Sequence, residues 1–212
     1  MHFGPYALMI LLSQAAGYTS AVFLCIKSGH RKETVFYTVL LNPLFIFLFA
    51  VLFSLIYGKG RSIGLSGLGA AFGLMTGVFT SILIHRDKSI ELLASWTVSA
   101  ALMYSVAKIG CFLGGCCGGS VAGLPVQLVE SGSFFVIYLT GLTVFFISKS
   151  KFRPVYTVMT AAFIVRFVLD HFRISHAGKV ISPEQITVLA GGVAAFIVLL
   201  LMRNVLRGRP DT

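Results

Sequence analysis

The stretch "IELLASWTVSAALMYSVAKIG", Ile90–Gly110, decides the fold: between Glu91 at one end and Lys108 at the other it carries no charge. Coiled as an α-helix at 1.5 Å per residue, it reaches roughly 30 Å, the depth of a bilayer's hydrocarbon core. It runs straight into "CFLGGCCGG", Cys111–Gly119, where three thiols lie among glycines. Six further apolar runs of similar length flank it, near Tyr6–Ile26, Thr34–Tyr57, Ile63–Ile84, Val126–Ile147, Val155–Phe172 and Ile181–Met202. The connectors between them, such as "KSGHRKE" and "SKSKFRP", are short and polar. The reading is an all-α polytopic membrane protein of about seven transmembrane helices, with residues 1–212 as a single transmembrane domain.

Composition agrees. Of 212 residues, 57% are hydrophobic and 11% charged, against about 25% charged in a soluble domain. Mean hydropathy is +0.91. The start, "MHFGPYALMI", has no basic n-region, so its apolar run reads as a retained helix. The net charge of +10 is dispersed between apolar segments, which argues for topology signals and anionic-lipid contacts and against nucleic acid. With the N-terminus outside, one side of the membrane collects Lys27, Arg31, Lys32, Arg86, Lys88, Lys149, Lys151, Arg153, Arg203, Arg207 and Arg209. The other side holds Lys59, Arg61, Arg173 and Lys179. That imbalance predicts an outer N-terminus and a cytoplasmic C-terminus, with the cysteine-rich stretch at the outer end of the fourth segment.

Four charged residues fall inside or at the ends of apolar runs: Lys108, Glu130, Arg166 and Asp170. Each costs about 2.5–3.5 kcal/mol at a helix centre even on the lenient insertion scale, so they should face one another. Two readings follow. One is a pair of structural bridges between helices; the other is a polar chamber in which Arg166 and Lys108 receive an anionic phosphate. Gln127 lies one helical turn from Glu130, Gln185 follows Pro183 with Ser182 as a candidate N-cap, and His171 adjoins Asp170 as a candidate base. Gly69, Gly73 and Gly77, four apart in the third segment, predict close helix packing, and a groove for a lipid chain or headgroup is a second, compatible reading.

The thiols admit three readings. Cys111, Cys116 and Cys117 are small apolar fillers, reactive groups activated by Lys108, or soft-metal ligands. Against structural zinc, the run lacks the C-x2-C spacing and a clear fourth ligand. No metal centre and no cofactor are assigned from the sequence.

These residues together resemble the bacterial prolipoprotein diacylglyceryl transferases over about Gly64 to Met202, in the family's order. "KIGCFLGG" is similar to the family's arginine followed by Gly-Asn-Phe, with Lys108 at the arginine and Cys111 at the asparagine. "PVQLVE" is similar to Pro-Ser-Gln-Leu-Tyr-Glu, matching Pro125, Gln127, Leu128 and Glu130. "RFVLDHFR" is similar to Arg-Phe-x-x-Glu-x-x-Arg, matching Arg166, Asp170 and Arg173. Ser66, beside Gly67, stands where the family has the histidine of its His-Gly-Gly stretch, and Ala162 where it has a tyrosine.

The resemblance implies a multi-pass enzyme of the bacterial inner membrane. It would move a diacylglyceryl group from a phosphatidylglycerol-like lipid to a thiol or other nucleophile at the outer leaflet. Arg166, Lys108, Glu130 and the three cysteines would be its catalytic groups. Gln127, Ser66, Gly67, Asp170, Gln185 and His171 would bind substrate, and a protein or small thiol would accept the lipid. The competing expectation is a transporter or binder of a thiol-reactive solute or soft metal through Cys111, Cys116 and Cys117.

Overall fold

A chain segment in hydrocarbon has no water to satisfy its backbone, so apolar runs of this length close their hydrogen bonds internally as helices. The computed structural model describes residues 3–57, 65–85, 88–174 and 183–207, and the apolar runs within them are helical. In chain order they form α1 (Phe3–Lys27), α2 (Lys32–Tyr57), α3 (Gly67–Ile84), α4 (Ser89–Leu113), α5 (Val126–Ile147), α6 (Phe152–Asp170) and α7 (Pro183–Arg207). Two-residue strands β1 (Ser120–Val121) and β2 (Leu124–Pro125) make a small antiparallel hairpin between α4 and α5. Six of the helices, α1 to α6, are long and apolar enough to cross a membrane. In α7 the apolar stretch Gln185–Leu201 is shorter than any of these, so the expected count of seven is met in helices but in six full-length candidate spans. Ser182, Arg86, Lys59, Arg61, Lys179 and Arg209 lie outside the described residues.

α4 is the hub. Its Leu92, Ala94, Trp96, Val98 and Ala101 are buried, with α1 on one side, α5 on another and α6 also in contact. Apolar surface gives little reason for helices to leave lipid for each other, so the seams rely on small residues and hydroxyls. On the α1 seam, Gly17 lies against the Met103 side chain, Ser99 Oγ donates to Ser20 Oγ at 2.9 Å, and Tyr18 meets Trp96 edge-on at 5.2 Å. On the α5 seam, Ser105 Oγ donates to the Ser131 carbonyl and Ser131 Oγ to the Ser105 carbonyl, both at 2.9 Å.

The glycine stripe of α3 has a definite partner. A Cβ on Gly69 would overlap the Phe49 carbonyl of α2, one on Gly73 the Phe45 carbonyl, and one on Gly77 the Asn42 side chain. The stripe is therefore a helix seam filled by α2, and the lipid-chain groove of the second reading does not open along it. α2 itself runs unbroken through Pro43.

The contacts also fix direction. Residues 104 and 134 stack, 98 lies over 141, and 141 lies over 158, so α4, α5 and α6 alternate up and down. Gly192 against Phe163 and Tyr156 against Phe196 continue the alternation into α7. One end of the bundle thus gathers the last turn of α4, the hairpin, the first turns of α5 and α7 and the last turn of α6.

If the α2–α3 seam is this tight, Gly73→Leu should destabilise the protein by about 1–3 kcal/mol through overpacking. Gly132→Ala, where no atom lies within 4 Å of the new methyl group, should leave stability unchanged or raised. Reversible unfolding in mixed detergent micelles measures both. Equal stability of Gly73→Leu and the parent would contradict the seam.

Candidate functional site

The gathered end carries an ion cluster built around one carboxylate. Glu130 sits on the second turn of α5 and is fully buried. Its Oε2 accepts from Lys108 Nζ of α4 at 2.8 Å and from Arg173 Nη2, past the end of α6, at 2.8 Å. Its Oε1 accepts from Arg166 Nη1 of α6 at 2.8 Å, from Arg173 Nη2 at 2.8 Å, and from the Tyr104 hydroxyl of α4 at 3.2 Å. Arg166 Nη1 also donates to the Tyr104 hydroxyl at 2.9 Å. Asp170 Oδ1 lies 3.3 Å from both Arg166 Nη2 and Arg173 Nε. The Tyr104 ring supports the cluster as well, with Lys108 Nζ 5.1 Å from its centroid.

Chain geometry explains the convergence. Arg166 and Asp170 share a face of α6 at i, i+4, and Arg173 continues that line one turn later. After Asp170 the chain turns in rather than out. Ile174 N donates to the Gly118 carbonyl at 2.9 Å, and Gly119 bridges Arg173 as a short antiparallel pair. Gly119 has φ +157°, and a Cβ there would overlap the Phe172 carbonyl, so this approach depends on glycine.

Of the residues expected from sequence, Lys108, Glu130, Arg166 and Asp170 are brought together. Arg173, counted among the outer-side basic residues and matched to the second arginine of "RFVLDHFR", joins them: it is 6% exposed and bonds Glu130 through both carboxylate oxygens. Tyr104 was missed. Its signal was its place one turn before Lys108 on the same helix face.

Gln127 is buried but turns to the cysteine loop, where its Nε2 donates to the Cys116 carbonyl at 2.8 Å. Gln185 is buried on the first turn of α7, and its Nε2 meets His171 Nδ1 at 3.1 Å, so these two pair with each other. Ser66 caps α3 by accepting from Gly69 N at 3.2 Å, beside Gly67; the seam to α2, where Ser66 N donates to the Ala50 carbonyl, accounts for its contacts. Clefts lined by Leu12, Ser20, Phe23 and Tyr138, and by Thr143, Ser148, Arg153 and Tyr156, contain none of the cluster residues.

The three thiols adjoin the cluster. Cys111 is in the last turn of α4, and Cys116 and Cys117 are in the loop that folds back over it. Cys116 N donates to the Cys111 carbonyl at 3.0 Å, and the three sulfurs all lie within 4.8 Å of one another. All are free thiols, and Cys117 is exposed. Thiol hydrogen bonds from Cys111 and Cys116, with the Lys108 and Arg173 cations, hold the Cys117 thiol well below its usual value.

Chemically, the cluster can hold an anion. Among the described residues, Lys108, Arg166 and Arg173 face Glu130 and Asp170, three cations against two carboxylates, a net charge of one positive. Arg166 keeps the most open side chain, 17% exposed against 8% or less for the others. Compared with known proteins, the sequence matches no family model and no curated protein.

Glu130→Gln should destabilise the fold by about 3–5 kcal/mol, because three buried cations lose their common partner. Adding Lys108→Met removes one of those cations and should recover part of the loss, by the same unfolding measurement. Parent-like stability of the single variant would contradict the cluster's structural role. The lowered Cys117 value also sets a pH dependence. Iodoacetamide modification of Cys117 should therefore begin to slow at a lower pH than that of an ordinary thiol. An ordinary thiol slows about tenfold per pH unit below roughly 8.5. Site-resolved mass spectrometry follows both, and an ordinary profile at Cys117 would refute the shift.

Proposed function

We propose that this protein is a membrane transferase that moves a diacylglyceryl-type group from an anionic phospholipid to a thiol acceptor at the outer leaflet of a bacterial inner membrane. The observation that carries the reading is the net positive charge of the Glu130 cluster, held at one end of a helix bundle apolar enough to meet lipid on its flanks. Net positive charge in such surroundings is costly, and a phosphate that enters sideways from the bilayer would offset it.

The partially open Arg166 is placed to receive the phosphate oxygens with its guanidinium fork, and Lys108 and Arg173 extend the field. Glu130 holds the three cations in register. In the reaction, an acceptor thiolate attacks the glyceryl carbon that carries the phosphate ester. A carbon–sulfur bond forms and the carbon–oxygen bond breaks. The electron pair leaves on a glycerol phosphate, whose developing charge the cluster stabilises. The thiol proton passes to solvent as the acceptor ionises, a step that a cationic environment favours. The ordered likeness of "KIGCFLGG", "PVQLVE" and "RFVLDHFR" to the diacylglyceryl transferases supports the same chemistry. The uneven distribution of Lys and Arg supports placing the cluster at the outer end.

Reconstitution into vesicles of phosphatidylethanolamine and labelled phosphatidylglycerol, with a cysteine-containing peptide, should release labelled glycerol phosphate and yield a thioether-linked lipid peptide. Arg166→Gln should slow release by about 10²–10³-fold, as loss of a transition-state donor does. Vesicles that release no glycerol phosphate under any acceptor condition would overturn the proposal.

A further inference from the structure

The sulfur atoms of Cys111, Cys116 and Cys117 make no disulfide and lie mutually within 4.8 Å. Three sulfurs bound at about 2.3 Å around one ion sit about 4 Å apart, so sulfurs already within 4.8 Å of one another need only a modest side-chain adjustment to form a coordination triangle. From this geometry we propose that the loop is a three-sulfur site for a soft d10 cation of the Cu(I) type, a function independent of the lipid-transfer reading.

The donor set selects the metal. Among the described residues, the metal-ligating group is sulfur alone, with no imidazole or carboxylate in the same set. Zinc in a structural site takes four ligands in a tetrahedron, whereas soft thiolates without a hard partner suit Cu(I). Charge agrees. Three thiolates around Cu(I) carry two negative charges, and the net single positive charge of the described cation cluster offsets one of them. Lys108 lies one helical turn before Cys111, and Arg173 is bridged through its backbone to Gly119.

The loop is also preorganised. Gly115 has φ +67°, and Cys117, a residue with a side chain, is held at φ +57°, a conformation that non-glycine residues adopt at an energetic cost. That left-handed step folds Cys116 and Cys117 back over the last turn of α4. Gln127 fastens the fold by donating to the Cys116 carbonyl, and Cys116 N by donating to the Cys111 carbonyl. A site whose ligands are fixed before binding loses less freedom when the ion arrives. Exposed Cys117 gives the ion a way in from the aqueous side.

The test uses the full chain in detergent, reduced and without oxygen, titrated with Cu(I) against a chromogenic Cu(I) chelator. One ion per chain should be retained, with an ultraviolet sulfur-to-copper charge-transfer band. Cys111→Ser and Cys117→Ser should each weaken retention by about tenfold or more, since losing even a supporting residue around a metal costs that much. Cys25→Ala, in the apolar core away from the loop, should retain the ion. Because a serine variant may fold poorly, the parent supplies a second readout. Bound Cu(I) should protect Cys111, Cys116 and Cys117 from maleimide, and leave the modification of Cys25 in unfolding detergent unchanged. Failure to compete with the chelator, retention that survives Cys117→Ser, displacement of Cu(I) by equimolar Zn(II), or maleimide labelling of the loop thiols at full Cu(I) loading would each overturn the proposal.

Discussion

Everything at the functional end of this molecule depends on the Glu130 carboxylate. A lone carboxylate buried between helices loses several kcal/mol of hydration, and so does each lone cation. Glu130 resolves four such penalties at once. It draws Lys108 from α4, Arg166 from α6 and Arg173 from beyond α6 onto two oxygens, all at 2.8 Å. Since these groups come from three different stretches of chain, the pairing fixes the relative heights of α4, α5 and α6. The Ser105–Ser131 pair and the Tyr104–Phe134 stack, one turn deeper, confirm that register with uncharged groups. Electrostatics sets the position, and small-residue packing holds it.

The cysteine loop inherits its shape from the same cluster. Arg173 is anchored to Glu130, so the backbone on either side of it is held against the Gly118–Gly119 segment. That contact pins the far end of the loop, and Gln127, three residues before Glu130 on α5, pins its middle. The carboxylate therefore reaches the sulfurs through two chains of contacts without touching them. A change at Glu130 should be felt at both sites.

Much of this was legible in the sequence, because the bilayer imposes simple demands. Helix spans follow from runs of apolar residues, and the α5 bounds, Val126–Ile147, agree to the residue. The convergence of Lys108, Glu130, Arg166 and Asp170 follows from the cost of leaving any of them alone. What the residue pattern alone left unseen were contacts at the edges of apolar runs. Arg173 stands three positions past the end of α6, where the pattern reads as a polar connector, and only the inward turn of the backbone brings it to Glu130. Gln127 was legible as an inward polar residue but not its partner, which is a loop carbonyl that no side-chain pattern encodes. The glycine stripe of α3 announced close packing, yet whether α2 or a lipid chain filled the space was a tertiary fact.

The two site proposals meet at one physical constraint, the net positive charge of the described cluster, in which three cations face two carboxylates. An anion at Arg166 removes it from the membrane side, and a metal–thiolate unit at Cys111, Cys116 and Cys117 removes it from the loop side. The two compensations draw on the same field, so each should weaken the other: a loaded sulfur site lowers the attraction for phosphate, and a bound phosphate lowers the attraction for a negatively charged thiolate complex. The coupling is reciprocal by thermodynamic necessity. A loop of thiols beside an anion site is thus more than a neighbour to it. On these two proposals it would act as a charge reservoir whose filling sets how strongly the cluster calls for a phosphate.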